Sequence, residues 1–376
     1  MHLFLKRSLA LSSTLTLLCV SGAASASGFA LNEESVALMG SDYAGSAASV
    51  ANASSEYYNP ALASLFKHEA VSVGGVLLPV KVTFDGDWYQ SGNKSASAKG
   101  LTASALNVVP NFHYVKPVSD RLSFAFGLTV PFGLKTKYDT SAWDPVGGSA
   151  GVPTLTSISA INMNPNWAYR VTPKLALAAG IDVMAGEAQY NAQIGDDGEL
   201  ELTNDLKGTA LGYNLGLLYQ FSQNDRVGIS YRSRMTLKAK GPSQLVGSEG
   251  TLYEASATAD LNLPDSATIS LFHKVSARWD VLASLVYTDW SVLQNLMIKN
   301  TAMGDVNANL HYKDSWFASI GTHYRLSSRW ALRAGVGYDT TPTQDGYRDL
   351  RLPGQNRFSV AAGVHYQLRK NLGVDL

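Results

Sequence analysis

Three groups of residues in this sequence could do chemistry. "GGSAG" at 147–151 has the G-x-S-x-G form of a serine nucleophile elbow, which would serve acyl transfer. His68, His113, His273, His311, His323 and His365 could ligate a metal or act as bases, and Asp196, Asp197, Glu199 and Glu201 form a short acidic run. None of the three has the partners its chemistry needs. An elbow requires a strand–turn–helix context, and this pentapeptide lies in a glycine-rich stretch between strand-like segments. The histidines lack the i, i+4 spacing of metal ligands, and His113 and His365 read as polar fillers of an interior. The acidic run reads as a solvated outer loop, held to lipopolysaccharide through divalent ions. The residues therefore imply no catalytic group, no metal and no cofactor.

The elements that would position such groups begin with the N-terminus. Lys6 and Arg7 precede an apolar run from Leu9 to Val20 and a small-residue ending, Ala24-Ser25-Ala26, the layout of a secretory signal over 1–26. The only cysteine, Cys19, lies within it, which excludes thiol chemistry in the exported chain. The 30 basic and 30 acidic residues cancel, so no basic field exists to attract nucleic acid. No apolar run after the signal is long enough for a transmembrane helix. Yet 45% of residues are hydrophobic and only 16% are charged, against about 25% in ordinary soluble domains.

From about residue 69 the hydrophobic period is two. In "RLSFAFGLTV" Leu122, Phe124, Phe126, Leu128 and Val130 share one face, and Ser123, Ala125, Gly127 and Thr129 share the other. "LGYNLGLLYQF", "WALRAGVGY" and "FSVAAGVHYQL" repeat the division. A soluble sandwich would bury its large face and charge the opposite one, whereas here the opposite face is small and neutral. A lipid-facing strand has this pattern, and a closed barrel removes the unpaired edges that hydrocarbon cannot satisfy. Trp279, Tyr287, Trp290, Trp330, Tyr338 and Tyr366 lie near segment ends, where interfacial girdles are expected. The chain thus reads as all-β, a transmembrane antiparallel barrel in the bacterial outer membrane.

Tight turns at 118–120, 172–173, 222–225, 276–277 and 327–328 alternate with longer connections near 84–100, 139–153, 193–205, 241–252, 291–305 and 340–355. This predicts twelve strands and the start of a thirteenth over 69–376. Bacterial single-chain barrels have even strand numbers, so fourteen are expected when complete, with the C-terminal part lacking here.

Residues 27–68 break the period. They are rich in Ala, Ser and Gly, with short helical turns expected at 34–39 and 60–66, and read as a plug closing the lumen of a wide barrel.

The chain resembles the FadL-type outer-membrane transporters of long-chain fatty acids and other hydrophobic compounds. The resemblance rests on "GFALNE" (28–33), "NPAL" (59–62), "VPNFHYVKPVSDRLSFAFGLTVPFGLKTKYD", "LNLPDSATISLFHKVSARWDVLASLVYTDWS", "YKDSWFASIG" and "LPGQNRFSVAAGVHYQL", in order along nearly the whole mature chain. It implies passive, hatch-gated diffusion by a monomer, with an internal pocket beside the hatch and lateral release through a kink in the third strand. It implies Phe29 near that pocket, Asn59, Pro60 and Ala61 in the hatch, and Lys313 near a substrate carboxylate. At the kink the residues agree, because Pro131 cannot donate a ladder bond and Gly133 permits unusual backbone angles around Phe132. One departure stands out: the family's second pocket cation, an arginine, falls on Ala192. Long-chain fatty acids are the first substrate expectation, with neutral alkanes or monoaromatics the alternative. A membrane-embedded lipid hydrolase and a general diffusion porin are the readings of other classes.

Overall fold

The computed structural model describes residues 28–90, 93–138, 144–145, 152–194 and 199–376. The expected signal segment, "GGSAG", and Asp196 and Asp197 lie outside the described residues.

One antiparallel sheet contains β1 (Ala70–Gln90), β2 (Asn93–Pro117), β3 (Leu122–Lys137), the two-residue β4 (Asp144–Pro145), β5 (Val152–Arg170), β6 (Leu175–Ile194) and β7 (Leu200–Gln220). Four traverses follow, each broken near its middle: β8 (Asp225–Arg232) with β9 (Met235–Gly247), β10 (Gly250–Leu263) with β11 (Ser266–Lys274), β12 (Trp279–Thr288) with β13 (Asn295–Thr301), and β14 (Gly304–Asn309) with β15 (Ser315–Arg325). The sheet ends with β16 (Trp330–Asp339), β17 (Arg357–Arg369) and the short β18 (Leu372–Asp375). With each broken pair as one traverse, twelve cross the sheet and β18 begins a thirteenth, as the period-two reading predicts. Among the described residues β1 bonds only β2 and β18 only β17.

The alternation in sequence becomes two faces in space. Leu211, Tyr213, Leu215, Ile320, Val336 and Val360 are exposed on the outer face, while Asn214, Ser319 and Arg333 point inward and are buried. Exposed aromatics mark two levels. Tyr213 and Phe221, Trp316 and Tyr324, and Trp330 and Tyr338 each lie eight residues apart on neighbouring parts of the sheet. At about 3.3 Å per residue and a tilt of about 40°, that spacing is about 20 Å, close to the apolar band of an outer-membrane barrel. Trp290 is the exception among the aromatics assigned to a girdle. The break after β12 forms a 3-10 turn (Trp290–Val292) that carries its indole into the interior, where it is fully buried.

Four of the expected loops are strand instead. The described residues of 84–100 and 193–205, and residues 241–247, 250–252 and 295–301, are paired strand. Beyond the apolar band the outward residues are polar, for example Lys207, Lys238 and Lys240, so the backbone ladder persists after the hydrophobic period has ended.

Residues 28–66 lie on the concave side of the sheet, in contact with strands from β1 to β17. Helix α1 (Val36–Met39) is capped by Ser35, whose hydroxyl accepts from the Leu38 amide at 3.2 Å. Helix α2 (Ser55–Tyr58) leads through Asn59 into a 3-10 turn (Pro60–Leu65), with Pro60 at its first position where a missing N–H costs nothing. The small inward face of the strands has its reason here. A Cβ on Gly216 of β7 would sit 2.3 Å from Asn59 Oδ1, and one on Gly335 of β16 would sit 2.2 Å from the Ser41 carbonyl. Only glycine lets the inner segment approach the wall so closely.

Candidate functional site

β3 separates from β2 halfway along its length. The two pair from Pro117 opposite Ser123 to Phe112 opposite Leu128, and the ladder then stops. Farther along, only Ala103 bridges to β3's end, at Tyr138. On its other side β3 keeps its bonds to β5, through a register shift between Thr129 and Phe132. Pro131, without an N–H, sits in that bulge. The wall is therefore unpaired between β2 and β3 over 129–137.

The start of the inner segment lies along that free edge. The Leu31 amide donates to the Pro131 carbonyl at 2.9 Å, the Gly133 amide donates to the Phe29 carbonyl at 3.0 Å, and Ala30 pairs antiparallel with Phe132. Successive backbone groups of a strand point to opposite sides, so Pro131 O and Gly133 N–H face away from β5. Residues 29–31 thus act as a short substitute strand. Glu34 adds a side-chain bond, its Oε2 accepting from the Val130 amide at 3.2 Å.

Phe29 is fully buried, with its ring 4.9 Å from Trp290 and 5.8 Å from Phe132, and Trp290 packs edge-on against Tyr312. These rings join Ile158, Met184, Leu237, Leu261, Leu310 and Leu352 in the largest apolar cluster of the interior. Beside these rings, Ile158, Leu237, Leu261, Leu310 and Leu352 of the cluster line a small apolar cavity of about 30 Å³ together with Tyr190, Asp349 and Arg351. Ile158 and Leu352 divide it from a second cavity of about 170 Å³ at the gap, bounded by Gly28, Leu31, Val80, Val109 and Gly133. A small apolar cavity and a space beside the unpaired edge of β3 therefore share Ile158 and Leu352 as a common wall.

The rest of the inner segment is tied to the wall by polar groups. Asn59 donates through Nδ2 to the Ala47 carbonyl at 2.7 Å and to Leu217 on β7 at 3.0 Å, while its Oδ1 accepts from the Ala61 amide at 3.0 Å. Glu56 meets His113 Nδ1 at 2.9 Å and accepts from Asn166 Nδ2 at 2.7 Å, all three fully buried. Asp182 on β6 pairs with Arg232 and accepts from Asn162 at 2.6 Å and Asn214 at 3.2 Å. Arg232 also donates to the Tyr57 carbonyl at 3.1 Å and lies over its ring. Burial pushes the Glu34 carboxyl up to about 8, against the lowering effect of the Val130 amide; Oε1 has no hydrogen-bond partner among the described residues.

Of the residues singled out in the sequence, Phe29 and Phe132 pack together, Pro131 and Gly133 hold 29–31, and Asn59, Pro60 and Ala61 meet β7. Lys313 is exposed; it follows Tyr312 of the cluster but does not line either cavity. Ala192 is buried on β6 and brings no charge. Arg351, from the connection between β16 and β17, supplies a buried cation instead. No sequence pattern pointed to it. A signal did exist for the polar network, because Asn162, Asn164 and Asn166 recur every second residue opposite Ile161, Met163 and Trp167.

These features are those of an outer-membrane β-barrel protein whose N-terminal segment packs against the inward face of the sheet. Residues 17–376 match the family described as "Outer membrane protein transport protein (OMPP1/FadL/TodX)", and the chain belongs to it. It is 31% identical to outer membrane protein P1 of Haemophilus influenzae, over 96% of this chain and 87% of that one. It is 29% identical to a long-chain fatty acid transport protein of Escherichia coli, over 100% and 90%. Among solved structures, a Pseudomonas aeruginosa FadL homologue superposes with a TM-score of 0.83 at 22% identity, covering 93% and 89%. The Pseudomonas putida toluene transporter TodX superposes at 0.69 with 18% identity and 92% coverage of both. The family is one of transport proteins of the outer membrane, not of enzymes.

Proposed function

We propose that the chain carries hydrophobic small molecules, long-chain fatty acids among them, passively across the outer membrane. Residues 27–68 are the hatch and 69–376 the wall. Substrate held against Phe29, Phe132 and Trp290 leaves sideways through the β2–β3 gap when residues 28–34 detach from β3. The Asn59-Pro60-Ala61 corner keeps the remaining hatch in place, and the exposed Lys313 is an outer contact for the substrate's head group. A monomer suffices for this path.

One observation carries the reading: among the described residues, the only backbone partner of β3's free edge at the bulge is the stretch 29–31. The reading is tested by Ala30→Cys with Phe132→Cys, a directly opposed pair that a disulfide can bridge. Cells carrying the oxidised pair should take up neither fatty acids nor alkanes or alkylbenzenes, and reductant should restore uptake. Undiminished uptake through the oxidised form would sink lateral release, and no change of uptake on loss of the gene would sink transport itself.

A further inference from the structure

The inner segment and the wall border another cavity, of about 120 Å³, lined by Ala30, Leu31 and Asn32, by Tyr43, Tyr57 and Tyr58, and by residues of β8, β11 and β12. It shares no lining residue with the small apolar cavity, and only Leu31 with the space at the β2–β3 gap. Two of its polar atoms are unanswered. Tyr43 Oη and Asn214 Oδ1 are buried with no hydrogen-bond partner among the described residues, and both side chains belong to the lining. A phenol hydroxyl can donate or accept, and an amide oxygen accepts.

Both residues are otherwise fixed. Asn214 donates through Nδ2 to Asp182 Oδ2 at 3.2 Å. The Tyr43 amide donates to the Leu38 carbonyl at 3.0 Å, and its carbonyl accepts from Ser284 Oγ at 3.0 Å. Asp42 and Tyr43 lie in the left-handed region, at φ 53° and 58°, which a bulky side chain adopts only where its surroundings impose it. Asp42 Oδ2, accepting from Ser359 Oγ at 2.6 Å, supplies one such constraint. The turn packs the Tyr43 ring among Leu38, Tyr58 and Phe317 and leaves the hydroxyl unpaired. A residue that is strained and also buries an unmade hydrogen bond is better explained by a bound partner than by packing alone.

Size and lining say what kind of partner. A cavity of about 150 Å³ in another protein holds benzene, so this one matches a single six-membered ring with a small substituent, or about four waters. Tyr43, Tyr57, Tyr58, Phe132 and Phe317 give it the aromatic surface that favours a ring in offset or edge contact. Its one charged side chain, Arg232, is already paired with Asp182. We infer that this cavity is a binding site for a small neutral aromatic alcohol of the phenol class, with Tyr43 recognising the hydroxyl. The site exists while residues 28–34 are docked, so the inference stands apart from lateral release.

The test is equilibrium dialysis of phenol and of toluene, which have equal numbers of non-hydrogen atoms, against the purified protein in detergent at about pH 7, read against detergent alone. In a cavity without a polar partner toluene binds the more tightly, because phenol surrenders its hydrogen bonds to water. Here phenol should bind at least as tightly as toluene. Tyr43→Phe keeps the ring and removes the hydroxyl; phenol affinity should then fall at least about fivefold, with toluene affinity undiminished. Tighter binding of toluene to the unmodified protein overturns the inference, as does a smaller loss of phenol affinity in a folded Tyr43→Phe. Binding of neither compound overturns it as well and leaves the cavity to ordered water. Should Tyr43→Phe not fold, the comparison in the unmodified protein decides. None of these outcomes bears on uptake through the β2–β3 gap, which the opposed cysteine pair tests.

Discussion

The two parts of the inner segment are held to the wall by different physics. Residues 35–66 are bound through buried polar side chains: Asn59 donates to the Leu217 carbonyl, Glu56 meets His113 and Asn166, and Arg232, paired with Asp182, donates to the Tyr57 carbonyl. Residues 28–34 are held by two backbone bonds to one strand edge, the Glu34 carboxyl on the Val130 amide, the Glu34 carbonyl facing His113 Nε2 at 3.0 Å, and the burial of Phe29 and Glu34. Removing any member of the first set leaves partners stranded in a dry interior. The second set can be exchanged for water or ligand one bond at a time. The difference supports the proposed function, in which a fixed stopper and a movable end are separated within one chain and over a few residues. Tyr58, donating to the Asn32 carbonyl at 2.6 Å, is the joint between them.

The comparison breaks most severely at Asp182→Ala. Arg232 would then be left in the interior without its carboxylate, and Asn162 and Asn214 would lose an acceptor. Loss of one partner of a buried pair costs about 3–5 kcal/mol. A fall of the thermal unfolding midpoint together with ion conductance in planar bilayers is expected. A variant as stable and as silent as the parent would show that the polar network does not hold the stopper.

Phe29→Ala should come next, and should act on the other part alone. Truncating a buried Phe costs about 3–5 kcal/mol in a fixed core, and less where the site can collapse or the segment simply detaches. Hydrogen exchange at the Leu31 and Gly133 amides is expected to accelerate strongly, with exchange on β7 and β16 unchanged. Equal acceleration throughout the wall would erase the distinction between the two parts.

Asn59→Ala tests the boundary with a smaller effect. It strands the Ala47 and Leu217 carbonyls and removes the cap of the 3-10 turn, at about 1–3 kcal/mol. The loss should appear as a lowered unfolding midpoint, with exchange at Gly133 unaltered. Protection lost at Gly133 but not at Ala61 would reverse the assignment of fixed and movable parts.

The fold was legible wherever the bilayer imposed a period. Leu211, Tyr213 and Leu215 are readable as lipid-facing because a strand has one apolar and one small face only in that setting. Legibility ended where the solvent changed, and the paired strands around Lys207, Lys238 and Lys240 look like loops because water accepts polar residues outside whatever the backbone does. Trp290 misleads for a related reason. An aromatic near a segment end suits a girdle, and only the break after β12 turns it inward. The bulge at Pro131 was readable because a proline removes a ladder donor from any strand, whereas Arg351 was not, since a long connection folding back over the small cavity leaves no pattern in its residues. The glycines of the inner face were visible as a fact, and their cause, backbone contact with Ser41 and Asn59, requires the three-dimensional structure.

The sharpest separation of the two parts comes from pH acting on Glu34. Its carboxyl touches the Val130 amide of β3, its backbone carbonyl faces His113 of β2, and Glu33, Glu56 and Arg232 are the charged groups around it. Burial raises it from 4.5 to about 8 while 28–34 is docked, and a detached, solvated Glu34 returns toward 4.5. The docked state therefore binds the extra proton. Its advantage is complete below about 4.5, declines as the pH rises toward 8, and is constant above that, with a slope of at most about 1.4 kcal/mol per pH unit. Exchange at Gly133, corrected for intrinsic rates, should accelerate between those limits and not outside them. In Glu34→Gln the same curve should be flat. A flat curve in the unmodified protein, or an identical slope at the Ala61 amide, would show that the movable end is not set apart by this carboxyl. The window matters for direction as well as size: a docked end that loosens as pH rises is one whose acid is buried in its neutral form, because burying the ionised carboxylate costs more than its stronger bond to the Val130 amide returns.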